Sequence, residues 1–138
     1  MQITILNKET LTISKEQDAV FLRNRVTEYA VKIKMGLVNQ TKLLTAASEL
    51  VRNMLKYGKG GVVKIEVISR GRDNGIRLIF EDKGPGIPDL GKAMTDGFTT
   101  GKSMGLGLPG TKRLMNEFDI KSEVGVGTIV TVVKWKNG

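Results

Sequence analysis

No cysteine and no histidine occur among the 138 residues. The two absences exclude disulfide staples, thiol nucleophiles, zinc sites built on Cys or His, Ser-His-Asp triads and phosphohistidine chemistry. Any catalysis must therefore use carboxylates, lysines, arginines, amides or hydroxyls. Aromatic side chains are few, with one Trp, two Tyr and four Phe, so there is little interleaving of rings and cations of the kind a nucleic-acid surface uses. No apolar run approaches the roughly 20 residues of a membrane span. Residues 1–7 lack the basic start and apolar core of a secretory signal, so a cytoplasmic protein that binds no membrane is expected.

Charge is what the chain has in excess: 22 basic side chains against 14 acidic, a formal +8. An anionic partner follows, whether nucleic acid, an acidic protein or a phosphorylated ligand. The excess is spread, with +5 in residues 1–61 (ten basic, five acidic) and +3 in residues 62–138 (twelve basic, nine acidic). No basic tail or long Lys/Arg run is present, which makes nucleic acid the weakest of the three. The length suits one domain over residues 1–138, able to bury roughly two thirds of its unfolded surface.

Alternating segments at residues 2–6 and 11–14 flank a polar stretch and predict a two-stranded ribbon or an edge pairing. Over residues 15–36, Ala19, Leu22, Val26, Tyr29, Ala30 and Ile33 recur every three or four positions, a helical stripe that stops at Gly36. A second helix is expected from about 39 to 57, burying Leu43, Leu44, Ala47, Leu50, Val51, Met54 and Leu55, with Gly58 ending it. Period-two alternation at 62–70 and 75–82, around the turn residues 71–74, predicts an antiparallel hairpin ending in Glu81-Asp82. Residues 84–110 hold eight of the 17 glycines and all three prolines; a loop that long inside a compact domain is usually functional or disordered, here with one helical turn at about 90–94. A helix over about 108–118, with Leu114, Met115 and Phe118 inward, precedes a short strand at 120–123, a turn at 125–127 and a strand at 128–135. Helices gathered on one face of a mixed, mostly antiparallel sheet give an α+β two-layer sandwich.

Four clusters could carry chemistry. On the second helix Glu49, Asn53 and Tyr57 are spaced four apart with Arg52 and Lys56 beside them, within a stripe of about 140° opposite the apolar face. Such a stripe is either a solvated, ion-paired face or the side of a magnesium-nucleotide site, where Asn offers a hard oxygen and Glu a proton acceptor. Asp82-Lys83-Gly84-Pro85-Gly86 is either a plain turn or a close approach to a ligand, with Asp82 ready to accept from an amino group. The run from Gly101 to Leu108 opens onto a helix: a flexible linker, or backbone N–H groups and a helix N-terminus suited to phosphates, with Lys102 and Ser103 adding a cation and a hydroxyl. Neither a Walker A loop nor a Rossmann turn fits it. Gly125-x-Gly127-Thr128 is a hairpin turn that could bring a hydroxyl against a base.

In this order, Glu49-x-x-x-Asn53-x-x-x-Tyr57, Asp82-x-Gly84-x-Gly86, Gly105-Leu106-Gly107-Leu108 and Gly127-Thr128 resemble the N, G1, G2 and final boxes of the GHKL (Bergerat-fold) ATP-binding superfamily. Residues 48–53, 81–89, 96–100 and 107–115 look closest to its serine/threonine kinases of stress-response partner switching. The resemblance implies ATP and Mg²⁺ as cofactors and transfer to a Ser or Thr of a STAS-domain antagonist. It also implies a second partner, a PP2C-type phosphatase or a sigma factor. Glu49 would be the general base and Asn53 the magnesium ligand. Asp82 would take the adenine amino group, Gly84, Gly86 and Ile87 would shape the base pocket, and Thr128 would approach adenine through a water. Gly105, Leu106, Gly107 and Leu108 would meet the phosphates, Lys102 and Ser103 would line the lid, and Arg52 and Lys56 would contact phosphate. Lys56-Tyr57 and the Gly105–Leu108 run also resemble sensor histidine kinases, from which the absence of histidine separates this chain. Two alternatives stand beside the kinase: a noncatalytic ATP-dependent module that binds a sigma factor or phosphatase, and, last, a small nucleic-acid binder.

Overall fold

The computed structural model describes residues 2–94 and 107–138. The elements run β1 (Thr4–Ile13), α1 (Glu16–Lys32), α2 (Leu37–Tyr57), β2 (Gly61–Arg70), β3 (Asp73–Asp82), α3 (Leu90–Ala93), α4 (Gly107–Leu114), β4 (Glu117–Glu123) and β5 (Gly127–Trp135). The five strands form one sheet in the order β1-β2-β3-β5-β4. Every pairing is antiparallel, so the expected mixture of directions is replaced by a wholly antiparallel sheet. The tight β2–β3 and β4–β5 hairpins must reverse direction. Of the two long connections, the one through α1 and α2 brings β2 back antiparallel to β1, and the one through α3 and α4 leaves β4 running parallel to β3 with β5 inserted antiparallel between them.

Alternation decides the two faces. Leu11 and Ile13, Val63, Ile65 and Val67, Ile76, Leu78 and Phe80, and Val130 and Val132 point one way and meet Leu22, Val26 and Ala30 of α1 and Leu43, Ala46, Ala47, Leu50 and Met54 of α2. Burying each large aliphatic side chain is worth roughly 1.5–3 kcal/mol before entropy is charged against it. On the other face Ile68, Val133 and Trp135 make a small cluster. The Arg70 guanidinium lies 4.3 Å from the Trp135 ring centroid, and the indole N–H donates to Glu117 at 3.1 Å.

Of the two expectations for the start of the chain, the edge pairing holds and the ribbon does not: Thr4–Ile13 is one long edge strand with a register shift between Ile5 and Asn7. The polar stretch belongs to the strand because its side chains face solvent, except Glu9, which faces α1. There Glu9 accepts from Arg25 Nε at 2.9 Å and from the Tyr29 hydroxyl at 2.8 Å. Helix α1 starts where Asp18 accepts from the Ser14 and Lys15 N–H groups at 2.9 and 3.1 Å. It ends at Lys32, earlier than expected, because Lys34 turns to φ 62. The hairpin turn is shorter than the sequence suggests: Arg70 pairs with Asp73, and Gly71 at φ 63 takes the first turn position, where a two-residue type II′ loop demands positive φ. The helix expected over 108–118 stops at Leu114, and Phe118 sits in β4, pointing with Ile120 into the core. Asn116 makes the junction, accepting from Trp135 N–H at 2.7 Å and donating its own N–H to the Val133 carbonyl at 2.9 Å.

The Glu9 contact carries a pH signature. Hydrogen bonding from Arg25 holds the Glu9 carboxyl below its ordinary value, assisted by Tyr29 and opposed by partial burial. A carboxylate whose folded pKa lies below its unfolded one stabilises the fold fully above the unfolded value and loses that stabilisation as pH falls through the folded value. Glu9→Gln is therefore expected to lower the melting temperature by a few degrees at neutral pH. The gap should close as the pH is taken below the carboxylate range, which melts followed by circular dichroism at a series of pH values would record.

Candidate functional site

Between α2 and the end of β3 lies a cavity of about 490 Å³. Helix α2 supplies one wall through Glu49, Leu50, Asn53, Met54, Tyr57 and Gly58; the sheet supplies the floor through Phe80, Asp82, Ile120, Thr128 and Val130. Residues 85–89 with Lys92 and Ala93 close one side, and Gly107 and Leu108 stand at the start of α4. The mixture suits a ligand with a flat apolar part and a charged part: an aliphatic and aromatic floor with a few convergent polar groups.

Glu49 is the first of those groups. It is only 7% exposed, so the stripe containing it does not lie wholly opposite the core. The reason is tertiary: α4 packs alongside α2 and covers the flank that a lone helix would show to water. The Gly107 N–H, at the N-terminus of α4, donates to Glu49 Oε1 at 3.3 Å, and Arg52 Nε lies 3.5 Å from Oε2. Both partners stabilise an anion, one by the orphan N–H and dipole of a helix start. Asn53 follows one turn later on the same wall, half-buried. Arg52 and Lys56 sit beside the wall and do not line it; the Lys56 ammonium lies over the Tyr57 ring, 5.2 Å from its centroid.

At the far end, Asp82 is held by its neighbours. Its Oδ1 accepts from Gly84 N–H at 2.9 Å and Thr128 N–H at 3.3 Å. Glycine is required around it for space. A Cβ on Gly58 would lie 2.5 Å from Asp82 Oδ2, one on Gly84 2.7 Å from the Gly58 Cα, and one on Gly127 2.1 Å from the Asp82 carbonyl. Gly84 thus packs behind Asp82, while Gly86, at φ 78, and Ile87 reach the cavity itself. Of the residues expected from sequence, Glu49, Asn53, Asp82, Gly86, Ile87, Gly107, Leu108 and Thr128 meet in this one cavity. Lys102, Ser103, Gly105 and Leu106 lie outside the described residues.

Sequence reasoning passed over Gly58, treated only as a helix stop, and Ser122, which alternation would have put on the pocket side with Phe118 and Ile120. The Ser122 hydroxyl accepts from Ile87 N–H at 2.8 Å and touches Thr128 Oγ1 at 2.7 Å. A second hollow of about 360 Å³ lies between α4 and β4, lined by Lys112, Arg113, Phe118 and Asp119 among others, away from Glu49 and Asp82.

An antiparallel sheet backed by two long helices, with a helix-borne Glu and Asn facing a strand-end Asp across a cavity, defines an ATP-binding domain of the GHKL type. Residues 38–137 match the family described as histidine kinase-, DNA gyrase B-, and HSP90-like ATPase, and the chain belongs to that family. More particularly, it is 41% identical over 129 residues to the serine/threonine-protein kinase RsbT of Bacillus subtilis, a match covering 94% of this chain and 97% of that one. It is 32% identical to the anti-sigma F factor of Thermoanaerobacter sp. (89% of each chain). With the anti-sigma F factor of Clostridium kluyveri the identity is 33%, over 88% and 89% of the two chains. The crystal structure of the RsbU and RsbW domains of a Mycobacterium tuberculosis protein shares the fold, with a TM-score of 0.65 at 20% identity. That match takes in 93% of this chain and about a third, 32%, of the other. The chain is a GHKL serine/threonine kinase of the partner-switching group. Among the described residues no helix is long and apolar enough to cross a membrane.

Proposed function

We propose that this kinase transfers a phosphoryl group from Mg-ATP to a serine or threonine of a STAS-domain antagonist in the cytoplasm, and that release from this substrate lets it engage a phosphatase of the PP2C type. The observation that carries the reading is the meeting of Glu49, Asn53 and Asp82 in one cavity, a carboxylate and an amide at one end and a second carboxylate at the other. Among the described residues no three Asp, Glu, His or Cys side chains gather to hold a metal. A magnesium ion would therefore rest on the Asn53 side-chain oxygen and on oxygens of the nucleotide itself, the usual economy of Mg²⁺ sites. ATP supplies the transferable phosphoryl group.

The chain's own residues do the rest by position and charge. Asp82 and the glycines packed on it seat the base, and the start of α4 faces the charged end. Glu49 receives the proton of the incoming hydroxyl as its oxygen bonds to phosphorus and the bond to ADP breaks, so the anionic carboxylate becomes neutral as product forms. The +8 balance favours both a polyanionic nucleotide and an acidic protein surface. A buried Glu in the cavity favours catalysis over a purely nucleotide-gated binding module, which needs no proton acceptor.

Incubation of the purified protein with Mg-ATP and a STAS-domain protein from the same genome should give acid-stable phosphate on the latter that alkali removes by β-elimination, as a serine or threonine ester requires, and chelation of magnesium should stop it. Nucleotide-dependent binding of that protein with no phosphate transferred would replace the kinase reading by the binding module.

A further inference from the structure

Ser122 lines no part of the cavity, yet its hydroxyl is joined to two elements that do. Its Oγ accepts from the Ile87 N–H at 2.8 Å, lies 2.7 Å from Thr128 Oγ1, and lies 3.3 Å from the Gly127 carbonyl. A serine hydroxyl has one proton and two lone pairs. The arrangement that uses all three gives the proton to the Gly127 carbonyl, one lone pair to Ile87 N–H and the other to the Thr128 proton. Thr128 then has no proton left and turns only lone pairs toward the cavity. Asp82, an ionised carboxylate with Oδ1 already accepting from Gly84 and Thr128 N–H groups, is acceptor-only as well.

We propose that Ser122 is a positioning residue for base specificity: by taking the Thr128 proton it makes the base end of the cavity wholly acceptor in character, so that the site takes a 6-aminopurine and rejects a 6-oxopurine. This rests on the nucleotide reading above and adds the residue that enforces its selectivity. A hydrogen-bonding site rejects an analogue chiefly through the groups it leaves unpaired; in this proposal Asp82 and Thr128 both face the 6-position, Thr128 directly rather than through the water that the family resemblance implies, so a carbonyl oxygen there meets only lone pairs. Without Ser122 the Thr128 hydroxyl is free to rotate and donate, and that penalty shrinks.

The test compares ATP with inosine triphosphate, which carries oxygen where ATP carries the amino group, by calorimetry on the full chain. Wild type is expected to prefer ATP. Ser122→Ala should narrow the ATP-to-ITP affinity ratio about tenfold, in large part by improving ITP, and Ser122→Thr, which keeps the hydroxyl, should restore the ratio. Thr128→Val should narrow it as far, and the double variant no further, because Ser122 acts through Thr128. Equal weakening of both nucleotides by Ser122→Ala, with the ratio unchanged, would show a structural role alone and overturn the proposal. Should Ser122→Ala not fold, an unchanged ratio in Thr128→Val overturns it equally. Failure of the underlying reading looks different: wild type would not distinguish the two nucleotides, and Asp82→Asn would leave ATP affinity untouched.

Discussion

Replacing Glu49 with glutamine is expected to lower phosphoryl transfer by about 10²–10⁴-fold, the usual contribution of a positioned general base, while ATP affinity stays within a few-fold of wild type. The choice of glutamine matters. Glu49 also accepts from the Gly107 N–H and pairs with Arg52, so alanine would remove an acceptor from the start of α4 together with the base. A glutamine carbonyl keeps the bond to Gly107 and loses only basicity and charge. Single-turnover transfer to the proposed STAS-domain substrate, beside nucleotide titration, separates the two quantities. Transfer at the wild-type rate in Glu49→Gln would remove Glu49 from the proton path and leave it as an anchor for α4.

A second large effect is expected at the other end of the cavity. Asp82→Asn should weaken ATP by about 1.5–3 kcal/mol, roughly 10- to 150-fold, the range for a hydrogen bond to a charged acceptor. The oxygen of the introduced amide can remain on the Gly84 and Thr128 N–H groups, which hold Oδ1 of the native carboxylate at 2.9 and 3.3 Å. The amide nitrogen then occupies the place of Oδ2 and presents N–H groups to the amino group of the base, donor against donor. Because the internal bonds survive, the melting temperature of the free protein should move by no more than a few degrees. Calorimetric affinity equal to wild type would show that Asp82 serves only the Gly84 and Thr128 backbone.

The two effects lie at opposite ends of one cavity, and the chain reaches those ends differently. Helices α1 and α2 were legible because an apolar residue every third or fourth position means the same thing in any context, and the β2–β3 hairpin because strict alternation does. The single strand β1 was harder to read. Its central polar residues look like a turn unless one knows that Glu9 faces Arg25 and Tyr29, 16 and 20 residues further on. Leu114, Met115 and Phe118 have helical spacing, but Phe118 is drawn into β4 by a core that also needs Ile120 on the same side. Periodicity over five residues cannot tell those outcomes apart.

For the site the division is similar. The residue types and their order, a Glu and an Asn one turn apart, an Asp before two glycines, glycines before a helix and a Gly-Thr before the last strand, were present in the sequence and carried the resemblance to the GHKL family, which in turn implied an ATP-dependent protein kinase acting on a hydroxyl. The lack of histidine decided which kind of acceptor was excluded. Sequence alone placed Glu49 on a face that could have been open to water. Its burial, the Gly107 N–H at its carboxylate, the fit of Gly58 against Asp82 and the joining of Ser122 to Ile87 and Thr128 came only with the tertiary structure. Local spacing encodes which side of an element a residue takes, since 3.6 and 2.0 residues per repeat are properties of the backbone. What stands opposite that side is set by segments tens of residues away, whose approach is decided by packing the whole core at once.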